Sequence, residues 1–152
     1  MEKKDTIFLL LLIGPIITIV FGFDVIRLAL LIFEGLGWDI QDFGPIPRMA
    51  MGVTVTSTIV FPILIIIFNI LTIKVLDDNE TVGIVFAFII LGLCIISMIF
   101  IIFFIGMIGT FPGAEDMENL VNRTRLSLGI CLAGEILVLV GAILNLTYQF
   151  NK

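Results

Sequence analysis

The sequence has no histidine, and its two cysteines, Cys94 and Cys131, both lie inside apolar runs. Histidine is the usual general base near neutral pH and the commonest zinc or copper ligand. Its absence excludes catalysis by a histidine base and zinc or copper sites with histidine ligands. Two thiols alone cannot hold an iron–sulfur cluster or a tetrahedral thiolate zinc site. A Ser–His or Cys–His nucleophile pair is also impossible within the chain. We therefore expect a protein that is not an enzyme and holds no metal or cofactor.

Charged side chains are scarce as well. They make up 14% of the 152 residues, whereas 60% of the residues are hydrophobic. Soluble domains carry roughly 45–50% apolar and about 25% charged residues, and a soluble fold of this length cannot bury so much apolar surface. The formal net charge of −5 disfavours binding to nucleic acid phosphates. The composition predicts an integral, multi-pass membrane protein whose first partner is the lipid bilayer.

Four long apolar runs make up most of the chain. They cover approximately residues 7–33, 49–75, 82–109 and 126–148. Each uncharged core approaches or exceeds the ~20 residues that a helix needs to cross a ~30 Å hydrocarbon layer. Nothing in the sequence alternates over the ~10-residue segments of a membrane β-barrel. The expected fold is therefore all-α: a single domain, residues 1–152, that forms a four-helix transmembrane bundle.

The segments between the runs predict how far the helices extend. Residues 34–48 form an acidic, turn-rich first loop. In the third loop, apolar residues recur at helical spacing from Met117 onward, and Glu115 and Asp116 suit the positive end of a helix dipole. The fourth helix is therefore predicted to begin near Ala114 and to continue into the fourth run. We expect the side that bears the first and third loops to extend farther from the membrane.

The orientation of the chain is nearly balanced under the positive-inside rule. If the N-terminus is inside, four lysines lie on that side and four arginines lie on the other. The lysine pair Lys3 and Lys4 at the start of the chain favours a cytoplasmic N-terminus.

Glu135 interrupts the fourth apolar run near its middle. A carboxyl group at that depth is costly and is by default a candidate functional residue. One interpretation is a protonatable site for proton or cation movement. The other is a neutral carboxyl group that donates a hydrogen bond to a neighbouring helix. No lysine, arginine or histidine lies in the apolar cores to pair with it, which favours the neutral form.

Matched depth predicts which residues surround Glu135. At 1.5 Å per residue, Ser97 and Thr58 lie at nearly the same level on the third and second helices. Pro62 cannot donate to the carbonyl of Thr58, which frees another acceptor there. Asn69 lies more than about 10 Å deeper by the same rise per residue. The candidate intramembrane polar site is therefore Glu135 with Ser97 and Thr58, and with Asn69 as a poorer partner.

The second helix also carries a polar stripe at spacings of three and four residues, which should point into the bundle because lipid offers no hydrogen-bond partners. Its polar members are Thr54, Thr58, Asn69 and Thr72. A pore lining and helix–helix hydrogen bonding both fit this pattern, and the second is favoured.

Small residues on the fourth helix indicate close helix packing. Gly129 and Ala133 are spaced by four, and Gly134 and Gly141 form a second patch. Such residues let helix backbones approach. Packing within the chain and self-association are both compatible with the pattern.

The end of the first helix carries polar and aromatic residues. Asp24 and Arg27 stand three residues apart and are expected to form a local ion pair at the membrane interface. Trp38 and Phe43 in the first loop could anchor it at the headgroups or dock a partner.

The expected function follows from the lack of catalytic and metal-binding residues. We expect a small non-enzymatic membrane protein that is a structural or accessory subunit and packs against other membrane subunits or itself. The alternative is a proton- or cation-conducting transporter or channel component that works through Glu135. The first is favoured because a transport pathway needs several polar residues and this chain offers few.

Overall fold

A computed structural model describes residues 2–37, 45–75, 80–110 and 113–151, and its described part contains helices and no strand. Four helical segments are long and apolar enough to cross a membrane, which is typical of a multi-pass membrane protein. The predicted all-α four-helix bundle is confirmed. Trp38 and Phe43, the aromatic residues singled out in the first loop, lie outside the described residues.

The four helices are labelled in chain order. α1 is Lys3–Gly35 and α3 is Glu80–Met107. α4 begins with a 3₁₀ turn, Ala114–Met117, and continues as Glu118–Phe150. α2 covers residues 45–75 and has four parts: Pro45–Val55, a π-helical turn Thr56–Val60, Phe61–Ile70, and a second π-helical turn Leu71–Val75.

The first π-helical turn of α2 ends at Val60, two residues before Pro62. A proline inside a helix lacks the N–H donor and crowds the carbonyl four residues earlier. The backbone adjusts with a wider turn, in which the N–H of Phe61 donates to the carbonyl of Thr56 five residues back. The helix continues through the proline, and the Thr58 carbonyl is left without the backbone donor it would have in a regular α-helix.

The most extensive helix pair in the bundle is α1 with α4. The two backbones meet at Gly14 and Gly134. A Cβ atom added at Gly134 would lie 2.8 Å from the carbonyl oxygen of Gly14, and one added at Gly14 would lie 2.7 Å from that of Gly134. Gly141 packs against Leu11 in the same interface. Glycine is required at this crossing because no side chain fits between the backbones.

Gly129 and Ala133 take no part in that interface. Both are exposed on the outer face of α4, and a Cβ atom at Gly129 would meet no atom within 4 Å. Of the small residues singled out on α4, Gly134 and Gly141 therefore serve packing within the chain. The pair Gly129 and Ala133 is left free for contacts outside it.

Most of the buried apolar side chains fall into two clusters, and a layer of five buried polar side chains lies between them. The termini-side cluster is Ile7, Leu11, Ile65, Ile90, Cys94, Val138 and Ala142. The loop-side cluster is Val25, Ala29, Ile32, Phe33, Ala50, Ile101, Phe104, Ile108, Ala114, Val121, Leu128 and Cys131. The polar layer, defined as Thr18, Ser57, Thr58, Ser97 and Glu135, contains residues from all four helices.

The predicted ion pair of Asp24 and Arg27 forms on α1, with 2.8 Å between Arg27 Nη2 and Asp24 Oδ1. The other carboxylate oxygen of Asp24 accepts a hydrogen bond of 2.6 Å from Ser127 Oγ on α4. This second bond was not predicted. It makes Asp24 a polar link between α1 and α4 on the loop side of the polar layer.

Candidate functional site

Glu135 is completely buried and points into the bundle from the middle of α4. Its carboxyl group is bordered by Thr18 on α1 and by Cys94 and Ser97 on α3. The structure thus brings Ser97 and Glu135 together at the α3–α4 contact, at the level that helix rise predicts. Three of the four helices meet at this carboxyl group.

The hydroxyl and thiol groups around Glu135 donate their protons to backbone carbonyls. Thr18 Oγ1 lies 3.2 Å from the carbonyl oxygens of both Gly14 and Cys131. Ser97 Oγ donates to the carbonyl of Ser57 at 2.6 Å. These bonds join α1 to α4 and α3 to α2, so the polar side chains of the layer connect helices within the bundle.

The two cysteines extend the same network on either side of the carboxyl group. Cys94 Sγ lies 3.4 Å from the backbone oxygen of Glu135, and Cys131 Sγ lies 3.5 Å from the backbone oxygen of Thr18. Both thiols are free and buried. They act as weak donors between helices.

Neither carboxyl oxygen of Glu135 receives a hydrogen bond from any described residue. The sequence places no lysine or arginine within residues 6–23, 49–73, 81–107 or 126–150, which form the central parts of the four helices. The carboxyl oxygens therefore accept no hydrogen bond from a described residue, and no lysine or arginine of these central parts lies beside them.

The structure does not bring Thr58 or Asn69 to the Glu135 carboxyl group. Thr58 shares the polar layer, but its hydroxyl donates to the Thr54 carbonyl of its own helix at 2.6 Å. Its Cβ and carbonyl oxygen instead face Gly22 of α1. Matched depth therefore predicted the right level for Thr58 and the wrong neighbour.

Asn69 lies at the level of the termini-side cluster, about 18 Å along α2 from Ser57 at 1.5 Å per residue. Its side-chain Nδ2 donates to the backbone carbonyl of Phe8 on α1 at 3.2 Å, whereas its Oδ1 is buried without a partner. Asn69 thus joins α2 to α1 near the termini. Gln149 is also buried in that half of the bundle, close against Gly83, and its Oε1 has no partner either.

Sequence reasoning missed Thr18 and Cys94. A usable signal existed for both. Thr18 stands four residues from Gly14 and four from Gly22, so it belongs to a small-residue stripe on α1. Cys94 stands three residues before Ser97 and therefore shares its helix face.

Two surface grooves lie outside the polar layer. One, of about 220 Å³, separates α2 from α3 and is lined by Met49, Ala50, Val53, Phe103 and Met107. The other, of about 200 Å³, lies between the end of α3 and the start of α4. It is lined by Gly109, Ala114, Glu115, Glu118, Val121, Asn122 and Arg125. Neither groove reaches Glu135.

Among the described residues, no group of three or more Cys, Asp or Glu side chains is arranged to hold a metal ion. Comparisons with protein-family models, curated proteins and solved structures found no match for this chain. Its function is therefore inferred from its own residues and geometry.

Proposed function

We propose that this chain is a small non-enzymatic integral membrane protein and that it serves as a structural or accessory subunit of a membrane assembly. The observation that carries the proposal is that the side chains of the polar layer bond to neighbouring helices. Thr18 and Ser97, which border Glu135, donate to carbonyls of neighbouring helices. Apolar clusters lie on both sides of the layer. Polar groups enclosed in this way stabilise a bundle and do not form a hydrated path.

The outer face of α4 supports a role in assembly. Gly129 and Ala133 are exposed there and unused within the chain. They are followed along the same face by the exposed apolar residues Ile136, Val140 and Ile143. Small residues on an apolar helix face permit the close approach of a second membrane helix.

The orientation that accompanies this proposal has the N-terminus in the cytoplasm. The support is Lys3 and Lys4 at the start of α1, since lysine and arginine are enriched on the cytoplasmic side. With four spans, both termini lie on that side, and the extended start of α4 lies on the opposite side.

The proposal is tested by purifying the tagged chain from its own membranes in a mild native detergent and identifying the chains that co-purify. We expect a stoichiometric membrane partner. We expect Gly129→Leu to reduce retention of that partner, because the added side chain occupies the small-residue face. Gly92→Leu on α3 is the matched control, since a Cβ atom at Gly92 also meets no atom within 4 Å. A clean homo-oligomer would contradict an accessory role, and a monomer would contradict the whole proposal.

A second candidate function is a proton- or cation-conducting component that uses Glu135. The observation that favours it is the complete burial of a carboxyl group whose two oxygens have no partner. Ionisable groups inside a membrane frequently mark proton or ion pathways. The two candidates differ in whether the isolated chain conducts.

A further inference from the structure

The hydroxyl and thiol groups that border the Glu135 carboxyl group donate their protons to backbone carbonyls. A hydroxyl group has one proton to donate and two lone pairs that accept. The proton of Ser97 goes to the Ser57 carbonyl, and that of Thr18 goes to the carbonyls of Gly14 and Cys131. What these two hydroxyl groups still offer to the carboxyl group is lone pairs.

An ionised carboxylate is also purely an acceptor, so it would face other acceptors with nothing to bind. The charged and titratable groups on the four packed helices do not supply a donor to the carboxylate either. On α1 the nearest is Asp24, which is held by Arg27 and Ser127. α2 and α3 have no Asp, Glu, Lys or Arg in their central parts, and the thiols of Cys94 and Cys131 donate to carbonyls. On α4 itself, Arg125 stands about 15 Å along the helix and donates to the Ile105 carbonyl.

We propose that Glu135 is an intramembrane proton-binding site, whose carboxyl group holds a proton at neutral pH and donates it to the hydroxyl oxygen of Ser97 or Thr18. A neutral carboxylic acid supplies a donor to hydroxyl oxygens whose own protons are already used. The terminal torsion of a glutamate side chain is soft, so the carboxyl group can turn toward either hydroxyl oxygen. The proton then links α4 to α3 or to α1.

The ligand is a proton and not a metal cation. Hard cations take six or more oxygen ligands, which need a cavity around the ion. The two grooves described above do not reach Glu135. The packing beside it is tight, because a Cβ atom at Gly134 would lie 2.6 Å from Thr18 Oγ1. A bound proton, in contrast, needs no cavity of its own. This inference does not depend on the proposed subunit role.

Infrared spectroscopy of the purified chain in an ester-free detergent at pH 7 tests the proposal. Exposed Asp and Glu side chains are ionised at this pH and give carboxylate bands. We expect one protonated carboxylic acid C=O band in the parent, present equally in sodium and in choline buffer. It should be absent from Glu135→Gln. If that variant does not fold, Glu135→Asp keeps the acid and should move the band.

The acceptor is identified by Ser97→Ala and Thr18→Val. At least one of them should move the acid band, whereas Thr147→Val should not. Thr147 is the control because its hydroxyl makes the same kind of bond, to the Ile143 carbonyl, on the exposed face of the same helix. The absence of an acid band at pH 7, or its loss when sodium is added, would overturn the proton site. A band unmoved in both variants would overturn the assignment of the hydroxyl acceptors.

Discussion

Gly134→Ala is expected to destabilise the bundle by about 1–3 kcal/mol, the usual cost of forcing extra volume into a packed interior. The added Cβ atom would lie 2.6 Å from Thr18 Oγ1 and 2.8 Å from the carbonyl oxygen of Gly14. One of these atoms belongs to the backbone of α1, so a side-chain rotation cannot relieve the clash. The α1–α4 crossing must open instead. The measurement is the free energy of unfolding in mixed micelles as the fraction of denaturing detergent rises.

Gly129→Ala is the matched control for this prediction. It makes the same chemical change on the same helix, five residues away, where a Cβ atom meets no atom within 4 Å. Its unfolding free energy should equal or slightly exceed that of the parent, because alanine favours a helix over glycine. Gly14→Ala should resemble Gly134→Ala, since it fills the same crossing from the other side. If Gly134→Ala and Gly129→Ala changed the free energy of unfolding equally, Gly134 would not lie at the α1–α4 crossing.

Glu135→Lys is expected to prevent accumulation of the folded protein. The lysine would put a charge at a position that is completely buried, and no acid lies in the central parts of the helices to pair with it. A central lysine costs about 3 kcal/mol in membrane insertion alone. The measurement is the yield of monodisperse protein after extraction from membranes.

Glu135→Gln separates the effect of charge from that of shape. Glutamine is nearly isosteric with the protonated acid and keeps a donor for the hydroxyl oxygens. We expect it to be extracted and to melt almost as the parent does. If Glu135→Gln is lost as completely as Glu135→Lys, the ionised carboxylate is required for folding and the neutral interpretation is wrong. If Glu135→Lys is as stable as the parent, the carboxyl group is not buried in the bundle.

The architecture was predictable because long apolar runs and helix rise depend only on residue order. The same arithmetic placed Ser97 beside Glu135, since both lie near the middle of their helices. The polar stripe also gave the inward face of α2, whose polar members Thr54, Thr58, Asn69 and Thr72 are all buried. The rotation of α1 was harder to predict. The central part of α1 is apolar around its circumference, so hydrophobicity alone does not show that Thr18 faces inward, and only its small-residue stripe with Gly14 and Gly22 indicates that face.

Two further features depend on which helix faces pack together, and they were therefore not predicted. Gly129 and Gly134 are equally small, but only Gly134 lies on the face that α1 covers. Thr58 was expected at the carboxyl group because depth was matched without rotation, and the structure turns it toward Gly22. Which face of a uniformly apolar helix is buried is decided by packing against its neighbours, and the hydrophobic pattern of a single helix does not contain that information.

The central claim is that the polar interior joins the helices and does not conduct, and ion flux through reconstituted vesicles tests it most directly. Vesicles that contain the parent chain should show the same slow proton and sodium leak as protein-free vesicles and as vesicles with Glu135→Gln. A protonophore or sodium ionophore added at the end verifies that the vesicles were sealed. Robust proton or sodium flux in parent vesicles, abolished by Glu135→Gln, would contradict the claim and favour the conducting function.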